Sequence, residues 1–99
     1  MRMEFLAYTR RRTESFSQAQ FDEYLEVEAE RARTLYSQGT FRGIWSRGDL
    51  PGAVILLEAA SLAEAEAAIG SLPFKQQELM DVTIVPLLPY RGFAPRSPG

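Results

Sequence analysis

Neither cysteine nor histidine occurs in this chain of 99 residues. Without cysteine there are no disulfides, thiol nucleophiles or thiolate metal sites, which fits a reducing compartment. Without histidine there is no Ser-His-Asp or Cys-His relay, no imidazole metal site and no imidazole proton shuttle near neutral pH. Lysine occurs once, as Lys75. Any chemistry therefore falls to carboxylates, tyrosines, arginines or that single amine.

An excess of either charge is also lacking. Eleven basic residues against 13 acidic ones leave a net charge of −2, too balanced for general attraction to phosphate backbones or anionic lipid. Neither a nucleic acid nor a membrane partner is expected. The run Arg10-Arg11-Arg12 reads as a solvated strand end. No apolar stretch has the length of a bilayer span or a secretory leader, so a cytoplasmic protein is the default.

What is present is ordinary for a globular domain, with 45% hydrophobic and 24% charged residues. One domain is expected over residues 1–90, followed by a C-terminal tail at 91–99. The alternation of Phe5, Ala7 and Thr9 with Leu6, Tyr8 and Arg10 predicts a strand over 3–10 with two usable faces. Ser17 with Gln20 is a capping-box pair, and Gly39 a helix stop, which predicts a helix from about 18 to 38. On it Phe21, Leu25, Glu28, Ala32 and Leu35 share one stripe. Strands at 40–47 and 53–59 flank a loop dense in Gly, Asp and Pro, the mark of an antiparallel hairpin. Ser61 and Glu64 open a second helix with Leu62, Ala65, Ile69 and Leu72 inward, stopped at Leu72-Pro73. After a connector at 74–80 whose shape the sequence leaves open, residues 81–88 form a last strand in which Pro86 marks an edge or a late bulge. The final residues, 96–99, are expected to be loose, with Tyr90 and Phe93 able to anchor the tail on a neighbouring subunit.

The order βαββαβ predicts a ferredoxin-like α+β fold, a four-stranded antiparallel sheet with two helices on one face. The middle strands carry apolar residues on both alternating sets: Phe41 and Trp45 against Ile44, and Val54 and Leu56 against Ile55 and Leu57. A second copy covering the free face, as in a dimeric α+β barrel, satisfies both sets.

The run from Glu28 through Ala32 and Leu35 to Gly39-Thr40-Phe41-Arg42 and Trp45 resembles the muconolactone isomerase-like family. So do Ala60-Ser61, the Leu72-Pro73 break and Met80-Asp81-Val82. The resemblance covers nearly the whole chain. It implies a small, cofactor-free homo-oligomer, at least a dimer, that shifts a proton between carbons of an unsaturated lactone. Two departures, a longer 74–79 connector and a tail without the family's histidine, imply a changed pocket wall and a different substrate.

Glu28, set in an apolar stripe, is the leading catalytic candidate, because desolvation raises a carboxyl pKa toward the range of a useful general base. The bland alternative is an ion pair, with Arg42 as the partner. Arg42 is a candidate for binding a substrate carboxylate or an enolate, against an ordinary strand-surface pair. Tyr8 and Trp45 are candidate substrate-binding walls, against core or dimer packing. Glu58 reads as a strand-end charge and Lys75 as a weak candidate for a pocket rim. No metal-ligand spacing or phosphate-cradling glycine motif occurs, so no metal and no cofactor are expected. Three functions stay open: a cofactor-independent isomerase or cyclase of a small unsaturated carbonyl compound or lactone, in aromatic degradation or natural-product biosynthesis; a cofactor-free monooxygenase of the same superfold; and a non-catalytic binding or assembly subunit.

Overall fold

The computed structural model describes residues 2–93. Strand β1 (Met3–Arg11) leads through a loop to helix α1 (Gln18–Ser37), then to the hairpin of β2 (Phe41–Ser46) and β3 (Ala53–Ala59). Helix α2 (Leu62–Gly70) and a single-turn helix α3 (Pro73–Gln76) precede β4 (Met80–Leu87), and a 3-10 turn spans Arg91–Phe93. The strands form one antiparallel sheet in the order β2-β3-β1-β4, the α+β, ferredoxin-like arrangement. The terminal residues expected to be loose, 96–99, lie outside the described part.

The helix ends follow from local hydrogen-bond chemistry. At the start of α1, the Ser17 hydroxyl accepts from the Gln20 N–H at 3.3 Å, and the Gln20 side-chain oxygen accepts from the Ser17 N–H at 2.8 Å. Its end is a left-handed Gly39 at φ 81°. At α2 the Ser61 hydroxyl accepts from the Glu64 N–H, while the Glu64 carboxylate reaches back to the Ala60 N–H at 2.8 Å. Pro73 both stops α2 and starts α3, where its missing N–H costs nothing at the first helical position. The 74–80 connector is thus a helical turn. It closes with Glu78 in the left-handed region at φ 55°, as the Leu79 N–H bonds the Phe74 carbonyl at 2.8 Å.

The core lies between the helices and one sheet face. Phe5, Ala7 and Thr9 of β1 join Ile55, Leu57 and Ala59 of β3 beneath Phe21 and Leu35 of α1 and Ala65 and Ile69 of α2. Burying this apolar set supplies the main drive to fold, at about 25 cal/mol for each Å² removed from water. Leu62, expected inward, is 42% exposed. It is the first residue of α2 and lines an open groove with Ile69, Val82 and Ile84.

Simple alternation groups Phe41 with Trp45 against Ile44, and the structure corrects this. The register slips between Phe41 and Gly43, so that Phe41 pairs with Leu57, Gly43 with Leu56, Ile44 with Ile55 and Trp45 with Val54. Arg42 is the extra residue of a bulge, and one inserted residue exchanges the faces of everything after it. Phe41 and Ile44 therefore share the helix-covered face, and Trp45 stands on the other. Its indole lies across Gly43, where a Cβ would sit 2.5 Å from the ring.

Candidate active site

Small side chains on facing elements leave a void between α1 and the sheet, at the end carrying the β2–β3 hairpin. Ala29 and Ala32 of α1 look across at Ser46, Gly52 and Ala53, and the space between them is a cavity of about 270 Å³. Gly52 permits the closure at its floor, because a Cβ there would lie 2.0 Å from the Thr9 carbonyl oxygen. Leu25, on the buried stripe by spacing, is 45% exposed and stands on the cavity wall rather than in the core.

Glu28 projects into this space and is half-buried. One carboxylate oxygen, Oε1, accepts the Phe74 backbone N–H at 2.8 Å. Burial raises its pKa above the ordinary carboxylate value, against the opposing pull of the Phe74 N–H and of the positive charge on Arg11. No cation approaches within 4.0 Å of it among the described residues. The ion-paired alternative for Glu28 is therefore absent: Arg42 lies 3.8 Å from Glu58 instead. Glu58 also receives Arg2, at 3.6 Å.

The four candidates read from the sequence do not converge. Glu28 faces the helix-side cavity. Tyr8 and Trp45 lie on the opposite sheet face, aligned through Val54, and neither lines the Glu28 cavity. Arg42 sits on the bulge at the far end of β2 from Ser46, away from that cavity, and has the ordinary ion pair described above. Lys75 lines a different groove, beside Glu66 and Val82.

Arg11 is a charged residue of the cavity that the sequence reading missed. The triple-arginine run is not one solvated unit. Arg10 pairs with Glu14 at 2.9 Å and Asp81 at 2.6 Å on the open face. Arg12 donates to the Glu78 carbonyl at 3.0 Å and lies over Phe16. Arg11 continues the inward row of Phe5, Ala7 and Thr9 and reaches the cavity wall. Its guanidinium sits 5.2 Å from the ring centre of Phe74 and 5.5 Å from that of Phe21. The strand parity carried that signal.

A half-buried carboxylate in a small, mostly apolar hollow beside a guanidinium, on a βαββαβ scaffold, is an arrangement suited to moving protons on carbon. The family described as muconolactone delta-isomerase matches residues 3–92. The chain belongs to the muconolactone delta-isomerase family. Curated proteins give no significant sequence match to add a named relative. The family match runs from the first strand through β4 and into the 3-10 turn, so every element lining the cavity falls inside it. Among the described residues no helix is long and apolar enough to cross a membrane.

Proposed function

We propose that the chain is a cofactor-independent isomerase, or a cyclase of the same proton-transfer type, with Glu28 as the proton shuttle and a small unsaturated carbonyl compound or lactone as substrate. The observation that carries this reading is the placement of Glu28, half-buried in the cavity, with one oxygen fixed by the Phe74 N–H and no cation bound to it. The fixed oxygen orients the group, and Oε2 is left to act.

In the reaction, Oε2 takes a proton from a carbon next to the conjugated carbonyl system. The C–H bond breaks and its electron pair moves toward the carbonyl oxygen, giving a dienolate. The pair then returns, the double bond shifts, and Glu28 hands the proton to the distal carbon. Atoms and electrons balance without an oxidant or a reductant. Because one carboxyl group both takes and returns the proton, the transfer is confined to one face of the substrate.

Aromatic-ring degradation and natural-product assembly both supply compounds of this kind, and a cytoplasmic homo-oligomer is the form we assign. Tyr8 and Trp45 then belong to the contact between copies rather than to the Glu28 cavity.

The test is solvent-deuterium exchange followed by proton NMR, on a panel of small unsaturated lactones and enones in D2O. Wild type is expected to label and isomerise one class, and Glu28→Gln to lose that rate by roughly 10²–10⁴-fold, the usual contribution of a general base. A Glu28→Gln protein that exchanges at the wild-type rate overturns the reading.

A further inference from the structure

Arg11 is an arginine on a wall where Phe5, Ala7 and Thr9 of the same strand face are fully buried. Most other arginines of the described chain have an obvious structural partner. Arg2 and Arg42 meet Glu58, Arg10 meets Glu14 and Asp81, and Arg47 meets Asp49. Arg12 bonds the Glu78 carbonyl and Arg31 the Ser71 hydroxyl. The Arg11 guanidinium has neither a carboxylate within 4.0 Å nor a side-chain hydrogen bond among the described residues. It is held by two aromatic faces, which fix its position and leave its N–H donors free.

Phe74 ties this group to the base. Its ring carries Arg11, while its backbone N–H holds the Glu28 carboxylate. One rigid residue therefore sets the spacing between a cation and a carboxylate that line the same cavity but do not pair. Bonding Glu28 to the Phe74 N–H, rather than to Arg11, leaves the guanidinium available to another anion.

We propose that Arg11 is the oxyanion-holding residue of the cavity: it receives the carbonyl oxygen of the substrate as that oxygen becomes an enolate. This rests on the Glu28 reading above. When Oε2 removes the proton, the electron pair moves to the oxygen, and the charge that leaves carbon is met by a guanidinium already in place. When the proton is returned, the C=O bond re-forms and Arg11 is left unchanged. Donors aimed at developing charge in a site screened from water give larger gains than the same donors in bulk solvent. A cavity of about 270 Å³ restricts the substrate to a small, compact ring or chain, oriented with its carbonyl toward the end of β1 and its labile hydrogen toward α1.

An oxygen anion at Arg11 has two possible sources, the enolate or a carboxylate that the substrate carries throughout. Binding of three small probes separates them, by NMR titration of the full chain. Tetronate is a five-membered lactone already ionised as its enolate, γ-butyrolactone is its neutral counterpart, and cyclopentene carboxylate bears a carboxylate on a ring of similar size. Tetronate is expected to bind wild type about tenfold or more tightly than the neutral lactone, to shift the Arg11 Nε–H resonance, and to lose that preference in Arg11→Gln. Arg11→Lys keeps the charge without the planar fork and should retain part of the preference. A preference for the carboxylate alone, or none for either anion, overturns the proposal. Should Arg11→Gln fail to fold, the Arg11 resonance in wild type decides, since an unmoved signal at saturating tetronate is equally fatal. Glu28→Gln separates the two readings: removing the carboxylate's negative charge should strengthen tetronate binding. Glu28 found with an ordinary carboxyl pKa sinks the base assignment while leaving a measured Arg11 preference intact.

Discussion

Glu28 gives the folded chain an affinity for a proton that the unfolded chain lacks. Burial raises its pKa in the native state, whereas in the unfolded chain it titrates as an ordinary glutamate, at about 4.3. The native state therefore holds the extra proton in the window between the two values. The sign follows from linkage: this group's stabilising contribution is complete below the unfolded pKa and is lost as pH rises through the folded one. Glu28→Gln removes the charge and keeps an amide oxygen to accept the Phe74 N–H. Thermal melts should then show the variant above wild type at pH 8, by a margin that closes toward about pH 4 as the wild-type carboxyl protonates. A wild type that gains stability relative to the variant on that same rise in pH contradicts the buried-carboxylate account. Glu14 and Asp49 act elsewhere on the pH axis. Hydrogen bonds from Arg10 and Arg47 hold each of them at about 2, so their stabilising contribution is present above the unfolded value and fades only as the solution becomes more acid. Glu28 was legible because helical spacing placed a charge inside an apolar stripe. Arg11 was equally inscribed in the period of β1, but a run of three like charges concealed that adjacent strand residues face opposite ways.

At the scale of elements, the bulge in β2 decides which side chains meet. Gly43 is the residue that lets Trp45 fold back over its own strand, since an added Cβ would fall 2.5 Å from one indole carbon and 3.0 Å from another. Gly43→Ala should therefore push the chain's only tryptophan off the strand. We expect a changed emission maximum with denaturant stability within about 0.5 kcal/mol of wild type, because the atoms displaced are the outer end of an exposed side chain that can swing aside. Unaltered fluorescence would mean that the ring does not rest there. The cavity gives a second element-scale expectation. Ala32→Leu fills part of the space between α1 and β3, so turnover should fall about tenfold or more while stability moves by no more than about 1 kcal/mol. Activity assays paired with melts check both halves, and full activity in a well-folded variant would place the chemistry elsewhere. Helix starts were readable because caps are local: Ser17 with Gln20 and Ser61 with Glu64 announce themselves in four residues. The bulge was not readable, because it depends on the partner strand. Nor was the close of α3, where Glu78 takes the left-handed conformation that glycine would have advertised. Pro73 could be read as an end, but only the structure shows it to be a beginning as well.

For the molecule as a whole, the open sheet face is arranged like the centre and rim of a contact between copies. Two cross-strand rows run through its middle: Gly43, Leu56, Leu6 and Val85, then Trp45, Val54, Tyr8 and Thr83. Charges flank these rows, with Arg10 against Asp81 at one end and Glu58 with Arg2 and Arg42 at the other. Apolar and aromatic residues inside a polar border are the composition of an interface core with its rim. Trp45 is 57% exposed in the single chain, a large apolar surface for a domain whose size already limits what it buries alone. A second copy laid on this face also explains why β3 is apolar on both sides. We expect sedimentation at micromolar concentration to give a dimer or a larger closed assembly. Leu56→Glu, in the middle of the apolar rows, should dissociate it, because a carboxylate buried without a partner costs several kcal/mol. The helix-side core is untouched by this change, so the far-UV circular dichroism of the dissociated chain should stay close to wild type. The cavity is built within a single chain, from α1, the sheet and α3. Dissociation should therefore reduce stability more than it alters the Glu28 pKa. A wild type that sediments as a monomer, or a Leu56→Glu protein that stays assembled, would return Tyr8 and Trp45 to consideration as ligand contacts.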